Sequence, residues 1–149
     1  MRSVMEKHWT EGMRTHENII YACFGCLSNT GITAGLGALE SVKELGLDKV
    51  AVGCLASLPL GVTPVIGKTK AAKKIITVDG CPFECSRKIV EAAGFRPYRS
   101  FMLVRDVGMN KKALHEDIGG DLKPVMDYVS TQDIEKTKEL IKKAILEKE

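Results

Sequence analysis

Aromatic side chains are scarce in this sequence, with one Trp, three Tyr and four Phe among 149 residues. An excess of one charge is also missing, since 22 basic residues against 19 acidic ones leave a net charge of +3. Nucleic-acid binders need a dense basic stripe to displace counterions and flat rings to stack on bases, so both shortages argue against that partner. The uncharged stretch from Val50 to Gly67 is broken by Pro59 and Pro64 and by Gly53, Gly61 and Gly67 itself. It therefore reads as a buried strand followed by a loop, not as a membrane span. The segment from Met1 to Thr15 carries Glu6, Lys7, His8, Glu11 and Arg14 and no apolar run of the kind a secretory leader needs. The expectation is a cytoplasmic protein with neither a membrane nor a nucleic-acid partner.

What is present is ordinary in bulk. Hydrophobic residues make up 44% and charged ones 28%, which excludes disordered, collagen-like and low-complexity chains. A chain of this size suits one domain and buries about two-thirds of its unfolded surface, so it needs no disulfide staples.

Strand-like and helix-like segments alternate. Ile19–Cys23, Lys49–Cys54, Lys74–Val78 and Ser100–Val104 are short apolar runs that read as strands. Ile32, Leu36, Leu39, Val42 and Leu45 recur at helical spacing, with Ser28, Asn29 or Thr30 as the cap and Gly46 as the stop. Thr63-Pro64 could open a short helix, and Pro82 is expected at the first position of a helix running to Ala93. A long loop or one short helix from Asp106 to Pro124 follows, in which Lys111, Lys112 and the residues up to Gly120 could form a mobile flap over the strand ends. An amphipathic helix then spans Gln132 to Glu147, capped by Ser130 or Thr131, with Ile134, Lys138, Ile141 and Ile145 along one stripe. The expected fold class is α/β: a single three-layer domain over residues 17–149 with a mainly parallel sheet. Residues 1–16 are expected to be an N-terminal arm whose apolar side is Val4, Met5, Trp9 and Met13.

The unusual feature is cysteine. Cys23, Cys26, Cys54, Cys81 and Cys85 make an odd set, which fits closed disulfide pairing poorly and fits metal or thiol chemistry in a reducing compartment better. On the plan above, Cys23 and Cys54 end the first two strands and Cys81 lies just past the third. The carboxyl ends of parallel strands share one edge, where ligands bind, so these cysteines are expected to cluster there. Cys85, four residues after Cys81, could face the same way. Four thiolates could close a tetrahedral site, which for zinc needs the sulfurs within roughly 4 Å of one another. The same ligands would suit an iron–sulfur cluster. The bland alternative is that Cys23 and Cys54 are small buried hydrophobes.

Other chemistries share these residues. Cys81 to Arg87 fits C-x5-R, the phosphate loop of cysteine phosphatases, although Pro82 removes one N–H from the cradle and Phe83 and Glu84 are bulky there. Cys23-Phe24-Gly25-Cys26 is spaced like a redox pair. Asp79 could steady Arg87, accept an N–H from the loop, or simply start a turn. Gly31, Gly35 and Gly37 cost a helix about 1 kcal/mol each relative to Ala, which close packing or a ligand would explain. His8, His16 and His115 are isolated. Lys68, Lys70, Lys73 and Lys74 read as a solvated face.

The run Ile75-Ile76-Thr77-Val78-Asp79-Gly80-Cys81-Pro82-Phe83-Glu84-Cys85 resembles the DGC domain family of zinc-binding proteins. Cys23 to Gly31 and Cys54-Leu55-Ala56 to Gly61 resemble its other two motifs, and the resemblance covers about residues 19 to 110. It implies four metal-ligating cysteines, which fall on Cys23, Cys54, Cys81 and Cys85. Cys26 departs from the family pattern and could replace Cys23, join it, or stay free. The expectation is a small protein with one zinc on cysteine thiolates, in a structural, sensing or metal- and thiol-handling role. The alternatives are an iron–sulfur or thiol-redox protein using Cys23 and Cys26, or a phosphatase using Cys81 and Arg87.

Overall fold

The computed structural model describes residues 15–149. The expected N-terminal arm, with Val4, Met5, Trp9 and Met13, lies outside the described residues except for its last two positions. The strands are β1 (Asn18–Ala22), β2 (Val50–Val52), β3 (Ile75–Asp79) and β4 (Arg99–Met102). The α-helices are α1 (Asn29–Leu45), α2 (Thr63–Ala71), α3 (Cys85–Ala92), the single turn α4 (Leu103–Asp106) and α5 (Thr131–Leu146). Short 3-10 turns at Leu55–Ser57, Leu114–Asp117 and Val125–Tyr128 complete the chain.

All four strands are parallel, in the order β2-β1-β3-β4. Ile20 pairs with Val52 on one side and Ile76 on the other, and Asp79 pairs with Met102 at the far edge. Because β1 is covered on both faces, its residues from Ile19 to Ala22 are apolar without alternation. Ile20, Ile76 and Val78 pack with Ala34, Ala38 and Val42 of α1 and Ile141 of α5. Ile19, Tyr21 and Ile75 face the opposite way, toward Val65 and Ile66 of α2 and Val90 of α3. Each such fully buried aliphatic side chain contributes about 1.5–3 kcal/mol. The chain leaves β1 toward β2 and returns across it to β3, so α1 lies on one face and α2 and α3 on the other. The direction of winding changes between β1 and β3, and a crevice opens at the carboxyl ends of those strands.

Ser28 caps α1, its Oγ accepting the Gly31 amide at 3.1 Å, and Ser130 caps α5 by accepting from Asp133 at 3.0 Å. The helical glycines are explained by packing. A Cβ at Gly37 would sit 2.5 Å from Thr137 Cγ2, so glycine lets α1 and α5 meet closely. At Gly35 it would fall inside the ring of Phe24, 2.0 Å from Cδ2.

Two local expectations are corrected. Lys74 is not on a solvated face. It is buried, and its Nζ donates to the carbonyls of Ala144 at 2.9 Å and Ile145 at 3.1 Å, capping the end of α5. The third helix begins at Cys85, not at Pro82. Residues 81–84 form a tight turn instead, with the Glu84 amide donating to the Cys81 carbonyl at 3.1 Å and Pro82 at the second position. Glu84 closes it in the left-handed region, at φ 50° and ψ 49°, which a continuous helix from Pro82 would not allow.

Candidate functional site

Three consecutive residues after the core of β3 each do a different job. Asp79 is buried, and its carboxylate accepts the backbone amides of Ser86 at 2.7 Å and Arg87 at 3.1 Å. It thereby serves as the cap that Glu84, at the N-cap position, does not provide. Burial raises its pKa, against those two amide bonds. Gly80 lies against the start of α1: a Cβ there would be 2.4 Å from the Thr30 carbonyl carbon and 2.6 Å from the Gly31 nitrogen. Cys81 then opens onto the crevice. The Asp-Gly-Cys run thus pulls the ends of β3, α1 and α3 together around one space.

That space is a cavity of about 450 Å³. Cys23, Cys81 and Cys85 line it, with Phe24, Leu27 and Phe83 at the walls. The Cys23 amide continues the ladder by donating to Val78 at 3.0 Å, which sets the thiol beside β3. Cys85 hydrogen-bonds the Cys23 thiol. Burial pushes the Cys23 thiol up to about 11, and the negative charges of Cys85, Asp79 and Cys81 push the same way. The cysteines are all free.

Cys54 and Cys26 do not line the cavity, and both are exposed. Cys54 precedes the turn at Leu55–Ser57, and its pKa is lowered first by the Ser57 hydroxyl and then by the Ser57 and Ala56 amides. Among the described residues, no group of three or more His, Cys, Asp or Glu side chains is gathered so as to hold a metal ion. The donor chemistry nevertheless fits a soft or borderline metal, because three thiols and the His115 imidazole line the cavity and no carboxylate does.

The other expected roles are placed as follows. Arg87 does not point at a phosphate cradle: its guanidinium pairs with Glu84 at 2.9 Å and with Glu91 at 3.1 Å. The Ser86 and Arg87 amides that such a cradle would use are held by Asp79. His16 Nδ1 contacts the Leu47 carbonyl, at the opposite end of β1. His115 does line the cavity, as does Lys111. The segment that carries them is anchored, not free. Asn29 Nδ2 donates to the Asn110 carbonyl at 2.9 Å, the Lys112 amide donates to Asn29 Oδ1 at 2.7 Å, and the Leu114 amide donates to Leu27 at 3.1 Å. Sequence reasoning set this segment over the strand ends, though as a mobile flap, and missed its anchoring to Asn29 and Leu27 and the apolar rim. The only local signal was Phe24 and Phe83, each placed between two cysteines. A wider groove of about 570 Å³ runs along α5, between Asp106 and Lys143, and holds no thiol.

A doubly wound parallel sheet of four strands, with three thiols lining one cavity, makes this an α/β domain. A match to the DGC domain family spans residues 19–141, so the chain belongs to that family, and membership points to metal binding. Comparison with curated proteins and with solved structures returned no match. No helix among the described residues is long and apolar enough to cross a membrane.

Proposed function

We propose that the protein binds one zinc ion through Cys23, Cys81 and Cys85 and handles it as an exchangeable ion, not as a structural staple. The observation that carries this reading is that three thiols from two strand ends and a helix start share one cavity. Family membership supports the metal, and the all-sulfur donor set supports zinc. Zinc supplies a divalent charge that the thiolates neutralise. The chain's part is to release the thiol protons and to hold Cys23 against β3 and Cys81 on its turn, with Phe24 and Phe83 at the cavity walls. Thiol sites lose protons and close as the ion enters, so a free arrangement looser than the bound one is expected. Cys54, the fourth ligand implied by the family pattern, stands outside the cavity with its thiol held by Ser57, which leaves the fourth position for an incoming ligand.

The test is metal analysis of protein purified without oxygen, with its absorbance, followed by competition against a chromogenic chelator. About one zinc per chain and no visible absorbance is the expected result. Cys23→Ser, Cys81→Ser and Cys85→Ser should each release zinc readily, while Cys26→Ser keeps it. Loss of zinc in Cys54→Ser would restore the closed four-thiolate site and a structural role. Iron with absorbance near 400 nm would replace zinc by a cluster.

A further inference from the structure

The geometry points to a dithiol–disulfide pair, Cys85 with Cys23, that exchanges with a small disulfide bearing carboxylates. This goes beyond metal binding and needs no metal, though it uses two of the same thiols. Three observations carry it. Cys85 and Cys23 line one cavity, and of the thiols there Cys85 acts most strongly on Cys23. They differ in access: Cys85 is exposed at the first position of α3, whereas Cys23 is half-buried behind it. A molecule entering the cavity meets Cys85 first and leaves Cys23 to act second. Finally, Cys26, the partner that C-x-x-C spacing would choose, is exposed and off the cavity.

The cavity also selects its substrate. Phe24, Leu27 and Phe83 are 60%, 83% and 67% exposed, an apolar mouth suited to the aliphatic arms of a small disulfide. No Asp or Glu lines the wall. Lys111 does, with its Nζ 5.2 Å from the centre of the Phe83 ring and no ion pair among the described residues. It is placed to receive a carboxylate.

The Cys85 sulfur, its proton lost to water, attacks one sulfur of the disulfide RSSR. The S–S bond breaks, RS⁻ leaves and takes up a proton, and Cys85 carries a mixed disulfide. The Cys23 sulfur, likewise deprotonated, attacks the Cys85 sulfur and expels the second RS⁻. Two protein thiols have lost two electrons, and RSSR has become two RSH.

The experiment uses the full chain, reduced and stripped of metal by a chelator, in mixtures of oxidised and reduced glutathione. Free thiols are alkylated, and the linkage is read by peptide mass mapping. The expected product carries a Cys23–Cys85 disulfide, in the unmodified chain and equally in Cys26→Ser and Cys54→Ser, while the exposed Cys54 takes at most a simple glutathione adduct. Cys23→Ser should stop at a glutathione adduct on Cys85. Cys85→Ser changes an exposed side chain, so it tests the pair without disturbing the core, and it should leave Cys23 unmodified. A Cys81–Cys85 or Cys23–Cys26 linkage, or adducts with no internal disulfide, would overturn the pair. Glutathione disulfide should react several-fold faster than cystamine, whose arms are cationic, at low salt, and Lys111→Met should erase that preference. Equal rates in the unmodified protein would overturn the carboxylate assignment. Because metal is absent throughout, the result stands or falls apart from the zinc reading.

Discussion

Asp79 Oδ1 accepts the backbone amide hydrogen of Ser86 at 2.7 Å, and Oδ2 that of Arg87 at 3.1 Å. The last residue of a core strand thereby starts the helix that carries Cys85. The distance between Cys81 and Cys85 is consequently set by β3 and not by the flexibility of the loop between them.

Asp79→Ala should therefore cost stability and disorder the thiol site together. Two amides at the start of α3, one buried and one part-buried, would lose their acceptor, a loss of about 2–3 kcal/mol. Asp79→Asn keeps one carboxamide oxygen and should recover roughly half of that. Urea denaturation followed by far-ultraviolet circular dichroism reads both. An alanine variant as stable as the parent would show that the start of α3 is held by something else.

Gly80 is required for space. A methyl group there meets the backbone of Thr30 and Gly31 at 2.4–2.6 Å, and backbone atoms cannot step aside as a side-chain end can. Gly80→Ala should destabilise the fold by about 1–3 kcal/mol and loosen the cavity wall. Gly25→Ala, across the cavity where nothing lies within 4 Å, should be silent in the same denaturation assay. Equal behaviour of the two variants would refute the close approach.

Most of the sheet can be read from the chain, because strands buried on both faces have to be largely apolar, as Ile19 to Ala22 and, apart from Thr77, Ile75 to Val78 are. The Ser28 and Ser130 caps are local signals and are equally legible, as are Ile141 and Ile145 of α5, whereas Leu39 of the stripe expected in α1 is exposed and Ala34 and Ala38 take the core instead. What is not legible is long-range. Pro82 looks like a helix start, but Asp79 captures the amides further along and Glu84 turns the backbone left-handed. Lys74 looks solvated, yet the end of α5 reaches it from residues 144 and 145. The gathering of Cys23, Cys81 and Cys85 follows from strand order. That Cys54 stays outside depends on the turn after β2 and on Ser57, which spacing alone does not reveal.

The five thiols should separate by alkylation rate in metal-free protein. Cys54 is exposed and its thiolate is favoured by the Ser57 hydroxyl, so it should react fastest with iodoacetamide near neutral pH. Cys23 is half-buried and held up to about 11, so it should react slowest, by at least about tenfold. Ser57→Ala should slow Cys54 and leave Cys23 unchanged. Time-resolved peptide mapping checks the order, and a fast Cys23 would contradict the burial described for it.

The seam between α1 and α5 should make stability depend on acid pH in a defined window. Lys138 is buried, with its Nζ 2.6 Å from Glu135 and 2.5 Å from Glu44, and Lys142 lies 2.6 Å from the other Glu44 oxygen. The hydrogen bonds from Lys138 and Lys142 lower the Glu44 pKa from 4.5 to about 2. Between those values the unfolded chain binds more protons than the folded one, so stability rises with pH across the window and is lost as pH falls through it. Glu44 is 40% exposed, so salt should weaken the effect. Comparison with Glu44→Gln isolates this carboxylate, because the other titrating groups are common to both proteins. The variant should unfold at lower urea near neutral pH, and the gap should begin to close below pH 4.5 and vanish near pH 2, the two values between which Glu44 titrates. A gap that stays constant over that range would mean that Glu44 contributes by packing alone and that its charge does not hold α1 to α5.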